Sequence, residues 1–506
     1  MSLILTAIMV IAMCVPVMAD NANGYTITAP NNGHTYEVYQ IFTGTLTTEG
    51  TDNVLSNIKW GKNGKEREGS DVSETILTDL KSVKDATDSA KLEIIKKYVN
   101  LTATNKYGSV TYSDPLDNVP AGYYLIKDVD RSQTGKDDSY TTYLVSVVGS
   151  VQITPKADKP SSEKKVKDVN DSNGTVTGWQ DSADYDIGDH VPFQLKGTVA
   201  DNYDSYKKYK FVFHDKESAG LTFEPDTVKV YVDGANITSG FTTVTSTTDR
   251  DTFDVVFEDL KNILDSTGNT KLVGPGSVIT VEYTSILNGN AVVGSAGNPN
   301  TMHLEYSNNP NDDQGGETGK TPDDTVIVFT YKTVVEKTNE AREPLAGAEF
   351  KLEKFVKDDE GTITYKNVKG KWVDKTLSSN QGGTVFTSTG LDDGYYRLTE
   401  TKAPEHYNQL KEAIYFEITA DHEVHSDNPK LTNFSGINMT TGETATFTFS
   451  ANKDDGSIST SVVNKKGSTL PETGGIGTTI FYIVGVVLVL GAGVLLVTKK
   501  RMNADK

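Results

Sequence analysis

Apolar residues fall on every second position, in short runs, through most of this chain. HVPFQLKGTV (190–199), KYKFVFHD (208–215) and VKVYVDG (228–234) show the pattern, and it continues from KTVVEKT (332–338) to ISTSVVNKK (458–466). A two-residue period turns one set of side chains to a core and the other to water, as in a half-buried strand. Turn residues separate the runs closely, which predicts tandem immunoglobulin-like β-sandwiches, an all-β fold class. The 506 residues suffice for three or four such domains. Residues 20–158 differ. They open on TYEVYQIFTGTL, contain a helical stretch over roughly 71–100, and close on GYYLIKDV and TTYLVSVVGSVQI. The junction TPKADKPSSEKKVKD then leads into residues 159–330 and 331–466. A net charge of −20 argues against nucleic acid as a partner.

Both ends carry apolar runs. LILTAIMVIAMCVPVMA, with Val17 and Ala19 as small residues before a cut, reads as a secretory signal over 1–19. Its removal would take away Cys14, the one cysteine. The exported protein must then gain robustness without disulfides. Residues 467–506 contain TTIFYIVGVVLVLGAGVLLVT (478–498), an uncharged run long enough to cross a bilayer as a helix. Lys499, Lys500 and Arg501 follow and would stay cytoplasmic.

Just ahead of that run stand Leu470, Pro471, Glu472, Thr473 and Gly474. The order of LPETG, apolar span and basic tail resembles the cell-wall sorting signal of Gram-positive surface proteins. The resemblance implies that a sortase cysteine attacks the Thr473–Gly474 peptide and that an amine resolves the acyl-enzyme. Pro471 disfavours helix and presents the backbone.

YYRLTETKAPEHY (395–407) resembles the E-box of Cna B-type domains, with Tyr396, Leu398, Glu400, Thr401, Ala403, Pro404 and Tyr407 in place and His406 where the family has Gly. PLAGAEFKL (344–352) resembles an early signature of the same domains. The resemblance implies a covalent bond between Lys337 on the first strand and Asn464 on the last, driven by Glu400. Strand parity agrees: Val335 with Lys337, Leu398 with Glu400, and Val462 with Asn464 share faces, so each polar group points inward. Burial lowers a Lys pKa and raises a Glu pKa, which leaves a neutral amine able to attack the Asn carboxamide while ammonia departs.

KPSSEKKVKD, YKFVFHDKESAGLTF, GNPNTMHLEYSNNP and DDTVIVFTY resemble the isopeptide-forming second domain (Cna A-like) of fimbrial shaft proteins. The resemblance implies Lys165, Asp215 and Asn300 as a second trio. Parity leaves Lys164 open beside Lys165, and Asn308 beside Asn300. VQITPKADKP (151–160) resembles the pilin motif, with Val151, Ile153, Pro155 and Lys156 matching. Val151 and Ile153 would face the core and Lys156 the solvent, where it can serve as the nucleophile that resolves the sortase intermediate.

The whole resembles a sortase-assembled backbone pilin of Gram-positive bacteria. It implies a structural subunit rather than an enzyme, polymerised by a class C sortase that joins Thr473 to Lys156 of the next copy. Expected partners are the sortase, identical subunits, tip and base pilins, peptidoglycan and a host or cell-surface ligand. The competing reading is a monomeric wall-anchored adhesin. No cofactor or metal is expected. GGETGKT (315–321) fails as a phosphate-binding loop because Gln314 holds the first Gly position, and DVNDSNG (168–174) fails the spacing of a calcium loop.

Overall fold

The computed structural model describes residues 24–467, except 50–51, 84–85, 87, 134–135, 148, 156, 246–250, 266–267, 269 and 442–445, and then 476–502. The expected signal segment, Lys156 and Leu470–Gly474 lie outside the described residues.

In the first part, strands Asp52–Trp60, Tyr36–Glu49, Gly122–Asp128 and Thr142–Val147 form one sheet in that order. It is covered on both faces. Tyr39, Ile41, Tyr123 and Leu125 pack with Trp60, Leu77, Leu80 and Ile95. Their neighbours Val38, Tyr124 and Ile126 pack the other way, against Ile27 and Val151 from a three-stranded sheet. Double burial explains why Gly122–Asp128 reads as a nearly continuous apolar run rather than an alternating one. The expected single helical stretch is two helices, Glu74–Ser82 and Asp88–Lys96. The sequence between them includes Asp85 and Thr87, residue types of low helix propensity.

Two sheets face each other in the middle part. One runs Ser182–Asp184, Asp324–Phe329, Asn298–Ser307, Phe211–Glu217, Phe253–Phe257 and Thr242–Val244. The other runs Ala235–Ile237, Lys229–Val232, Val278–Leu287, His190–Thr198 and Ser161–Val166. Phe193, Phe211, Phe213, Val255, Val281, Tyr283 and Leu304 fill the space between them. Asp324–Phe329 leads into Tyr331–Thr338 with only Thr330 between, so the middle sandwich passes directly into the last.

There Tyr331–Thr338 lies between Val385–Leu391 and Ser457–Val463, antiparallel to the first and parallel to the second. The facing sheet centres on Glu349–Lys357, Gly394–Lys402 and Ile414–His422. Beyond it, helix Ile476–Met502 contains a span, Thr479–Arg501, apolar and long enough to cross a membrane.

Candidate functional site

Lys337 and Lys164 are fully buried, each beside a carboxylate. In the last sandwich, Gly394–Lys402 alternates inward and outward, which sends Tyr396, Leu398 and Glu400 to the core. On the opposite sheet the parallel register places Lys337 beside Val462, and Asn464 follows two residues later on the same side. Lys337, Glu400 and Asn464 are all buried. Lys337 Nζ lies 4.0 Å from Glu400 Oε1, and Asn464 Nδ2 donates to Glu400 Oε1 and Oε2 at 2.9 and 3.1 Å. The Leu410 N–H donates to Glu400 Oε2 at 2.8 Å and fixes the carboxyl. Burial lowers the Lys337 amine to about 8, against the smaller opposing effect of Glu400. Asn464 Oδ1 has no hydrogen-bond partner. Half a turn of that amide would bring Oδ1 to the carboxyl, where a protonated Glu400 could polarise the carbonyl for attack. His406, where the family has Gly, adopts a left-handed φ of 69°. It thereby makes the turn that glycine would make, and its carbonyl accepts from Gly467 N–H at 2.9 Å.

The second trio differs from the expected one in its lysine. Strand Ser161–Val166 turns Lys164 and Val166 inward, and Lys164 is fully buried. Its Nζ donates to Asp215 Oδ2 and, at 2.9 Å, to the Tyr283 hydroxyl. Lys165 faces the other way and pairs with Asp181 and Glu163, so it takes no part in this cluster. The cause is the pleat: successive side chains on one strand cannot enter the same core. Asn300 is buried and donates from Nδ2 to Tyr283 Oη at 2.9 Å and Glu217 Oε1 at 3.5 Å. Tyr283 Oη donates to Asp215 at 3.0 Å. Asn308 is elsewhere, donating to the Asp138 carbonyl at the junction with the first part.

Burial pushes the Lys164 amine down and the Asp215 carboxyl up, each partly offset by the other's charge. The same burial, followed by the charge of Asp215, holds Glu217 at about 7. Tyr283 and Glu217 were not singled out in the sequence. Glu217 has the parity of Asp215, and Tyr283 sits inward between Val281 and Ser285, so the alternation held a signal for both.

Near the end of the first part, Val151 and Ile153 are buried while Gln152 and Thr154 are exposed. Asp128 is buried and is held by His34 Nδ1 at 2.8 Å and by Thr141 N–H.

Residues 332–430 match the SpaA prealbumin-like fold domain, and residues 462–504 match the LPXTG cell wall anchor motif. The trypsin-resistant surface T6 protein of Streptococcus pyogenes serotype M6 is 27% identical over 425 residues, taking in 72% of each chain. Among solved structures, the T6 backbone pilin of the same serotype is 17% identical, with a TM-score of 0.48 over 88% of this chain and 98% of that one. The major pilin SpaD of Corynebacterium diphtheriae is 18% identical, with a TM-score of 0.44 over 89% and 99%. The chain is a wall-anchored surface protein of Gram-positive type, membrane-anchored as a precursor, that carries an SpaA prealbumin-like domain and is similar to the streptococcal T6 surface protein.

Proposed function

We propose that this chain is the shaft subunit of a covalent pilus, stiffened by two internal isopeptide bonds, Lys337–Asn464 and Lys164–Asn300. The reading rests above all on one observation. In each of two successive sandwiches a wholly buried lysine and a buried asparagine share a buried carboxyl network. Lone buried charges are costly, so such a cluster calls for a reason beyond packing.

In the last domain, proton transfer from Lys337 to Glu400 gives a neutral amine and a protonated acid. The amine nitrogen bonds to the Asn464 carboxamide carbon, Glu400 carries the displaced proton to the leaving nitrogen, and ammonia departs. In the middle domain Asp215 takes the proton of Lys164. Tyr283 Oη, hydrogen-bonded to Lys164, Asp215 and Asn300, orients all three. The reaction occurs once per site, which makes the protein its own substrate rather than an enzyme with turnover.

Between subunits, a sortase joins the Thr473 carbonyl of one copy to the Lys156 amine of the next. One donor and one acceptor per chain, repeated head to tail, give an open filament. The test is a blot of wall extract boiled in detergent. The shaft reading expects a ladder that collapses in Lys156→Ala, whereas a single band in the unaltered protein would support a monomeric adhesin and reject the filament. Intact mass of the ectodomain should fall short of the sequence mass by two molecules of ammonia.

A further inference from the structure

The turn DVNDSNG, whose spacing does not suit a calcium-binding loop, lies where the middle and last sandwiches meet. It brings Asp168 and Asp171 to a junction shared with Asp184 and Asp186, and with Asp392 and Asp393 from the last domain. Basic groups answer part of this charge. Lys354 is fully buried, with Nζ 2.5, 2.8 and 3.0 Å from Asp171, Asp186 and Asp392. Lys375 lies 2.8 Å from Asp186. His422 Nε2 lies 3.5 Å from Asp168 and 3.7 Å from Asp184.

These basic groups reach only one oxygen each of Asp184 and Asp392. One carboxylate oxygen from each of Asp184, Asp392 and Asp393 falls within 4.8 Å of the other two. Asp184 and Asp392 are 2% and 0% exposed, yet Asp184 Oδ2 and Asp392 Oδ1 have no hydrogen-bond partner. A separate observation points to the same spot. The Tyr331 hydroxyl is wholly buried, lies beside Asp184 without a hydrogen bond of good geometry, and faces the charges of Asp184, Asp393 and Asp392. Polar atoms of this kind are rare in native cores, and an ion or water is one arrangement that satisfies them.

We propose that Asp184, Asp392 and Asp393 bind a divalent cation of the calcium class, which bridges the middle and last domains. Three carboxylates form a hard, oxygen-only donor set, whereas zinc sites draw on nitrogen and sulfur. The ligands come from the end of one strand and from a turn in another domain. Calcium accepts such irregular, many-coordinate settings, while magnesium demands a near-ideal octahedron. The Tyr331 hydroxyl would bond to a water on the ion. One ligand is on the middle sandwich and two are on the last, so the ion would brace the junction where Thr330 alone separates consecutive strands.

The test uses the intact ectodomain, titrated with calcium chloride by calorimetry and with terbium by luminescence. We expect one ion per chain, with a dissociation constant of about 10⁻³ M or tighter, as in extracellular modules. Excess calcium should raise the melting temperature relative to EDTA, and magnesium should bind more weakly. Asp184→Asn and Asp393→Asn should each weaken binding at least about tenfold through loss of ligand charge. Asp393 is only partly buried, so its variant decides the matter should Asp184→Asn fail to fold. Absence of saturable calcium uptake overturns the proposal, as does uptake unchanged in Asp393→Asn. Equal affinity for magnesium overturns the choice of calcium.

Discussion

Replacing Glu400 by Gln tests the last-domain chemistry with little disturbance. Gln keeps the size and an oxygen that can still accept the Leu410 N–H, which donates at 2.8 Å. It cannot take a proton from Lys337 or return one to the leaving nitrogen, so the bond should not form. The bond closes a loop of roughly 130 residues, and its loss costs about 5 kcal/mol on chain-entropy grounds. For a domain of that size, an unfolding entropy near 2.1 cal/mol/K per residue converts this to roughly 15–20 °C in melting temperature. Intact mass should show the variant one ammonia heavier than the unaltered protein once the substitution is allowed for, and calorimetry should show the last domain melting earlier. Lys337→Met supplies a finer comparison. It also lacks the bond but leaves no amine in the core, so it should melt at or above Glu400→Gln. A Glu400→Gln chain that has still lost both ammonia molecules refutes the role given to the carboxyl. A full mass difference with no change in melting refutes the energetic argument alone.

In the middle domain, Lys164→Met should abolish one ammonia loss and Lys165→Met should leave the mass deficit intact. The opposite pattern would show that the strand is pleated the other way. Only the neutral Lys337 amine attacks, and burial holds its pKa at about 8. Cross-linking of freshly synthesised chain should therefore slow about tenfold per unit as pH falls below 8 and level off above it. Mass spectra of samples quenched over time would reveal this, and a flat profile from about pH 6 to 8 would exclude a rate-limiting deprotonation. His406→Gly should be neutral or stabilise by up to about 1 kcal/mol, because it relieves a left-handed backbone. A branched His406→Val should cost about 1–2 kcal/mol in a denaturant titration, and equal stability of the two variants would remove strain from the account.

The resemblance named Lys337, Glu400 and Asn464, and parity agreed because each stands on or just past a regular strand beside apolar residues of the same phase. Lys164 was ambiguous for a related reason: Ser161–Val166 holds one apolar residue, Val166, and a single anchor is easily passed over. Val166 has the phase of Lys164, so the clue was present but thin. Glu217 sits at the end of its strand after an exposed Lys216, and its burial depends on Ser285 and Asn300 from the facing and neighbouring strands. Local alternation carries little of that. In the first part, burial on both faces weakens the two-residue period, so the strands were legible as strands but their partners were not. The junction carboxylates span Asp168 to Asp393, and only the meeting of two folded sandwiches collects them.

That junction also occupies the gap in the proposed covalent path. A bond between Lys337 and Asn464 would join the two ends of one sandwich, and a bond between Lys164 and Asn300 would join the first strand of the other to Asn298–Ser307. Tension along the shaft would then bypass most of both cores. Neither bond spans the chain from Asn300 to Lys337. This stretch contains Asp324–Phe329, Thr330 and the start of Tyr331–Thr338. Asp324–Phe329 is held in register on both sides, parallel to Ser182–Asp184 and antiparallel to Asn298–Ser307. A pull along it must shear several hydrogen bonds together rather than open them one at a time. Lys354, wholly buried, ties Asp171 and Asp186 of the middle domain to Asp392 of the last at the same place. Buried polar contacts therefore cross the junction where the covalent reinforcement would be absent. A junction built that way resists extension without a third bond, and it concentrates the effect of any ion seated among Asp184, Asp392 and Asp393 on the one segment left to carry the pull.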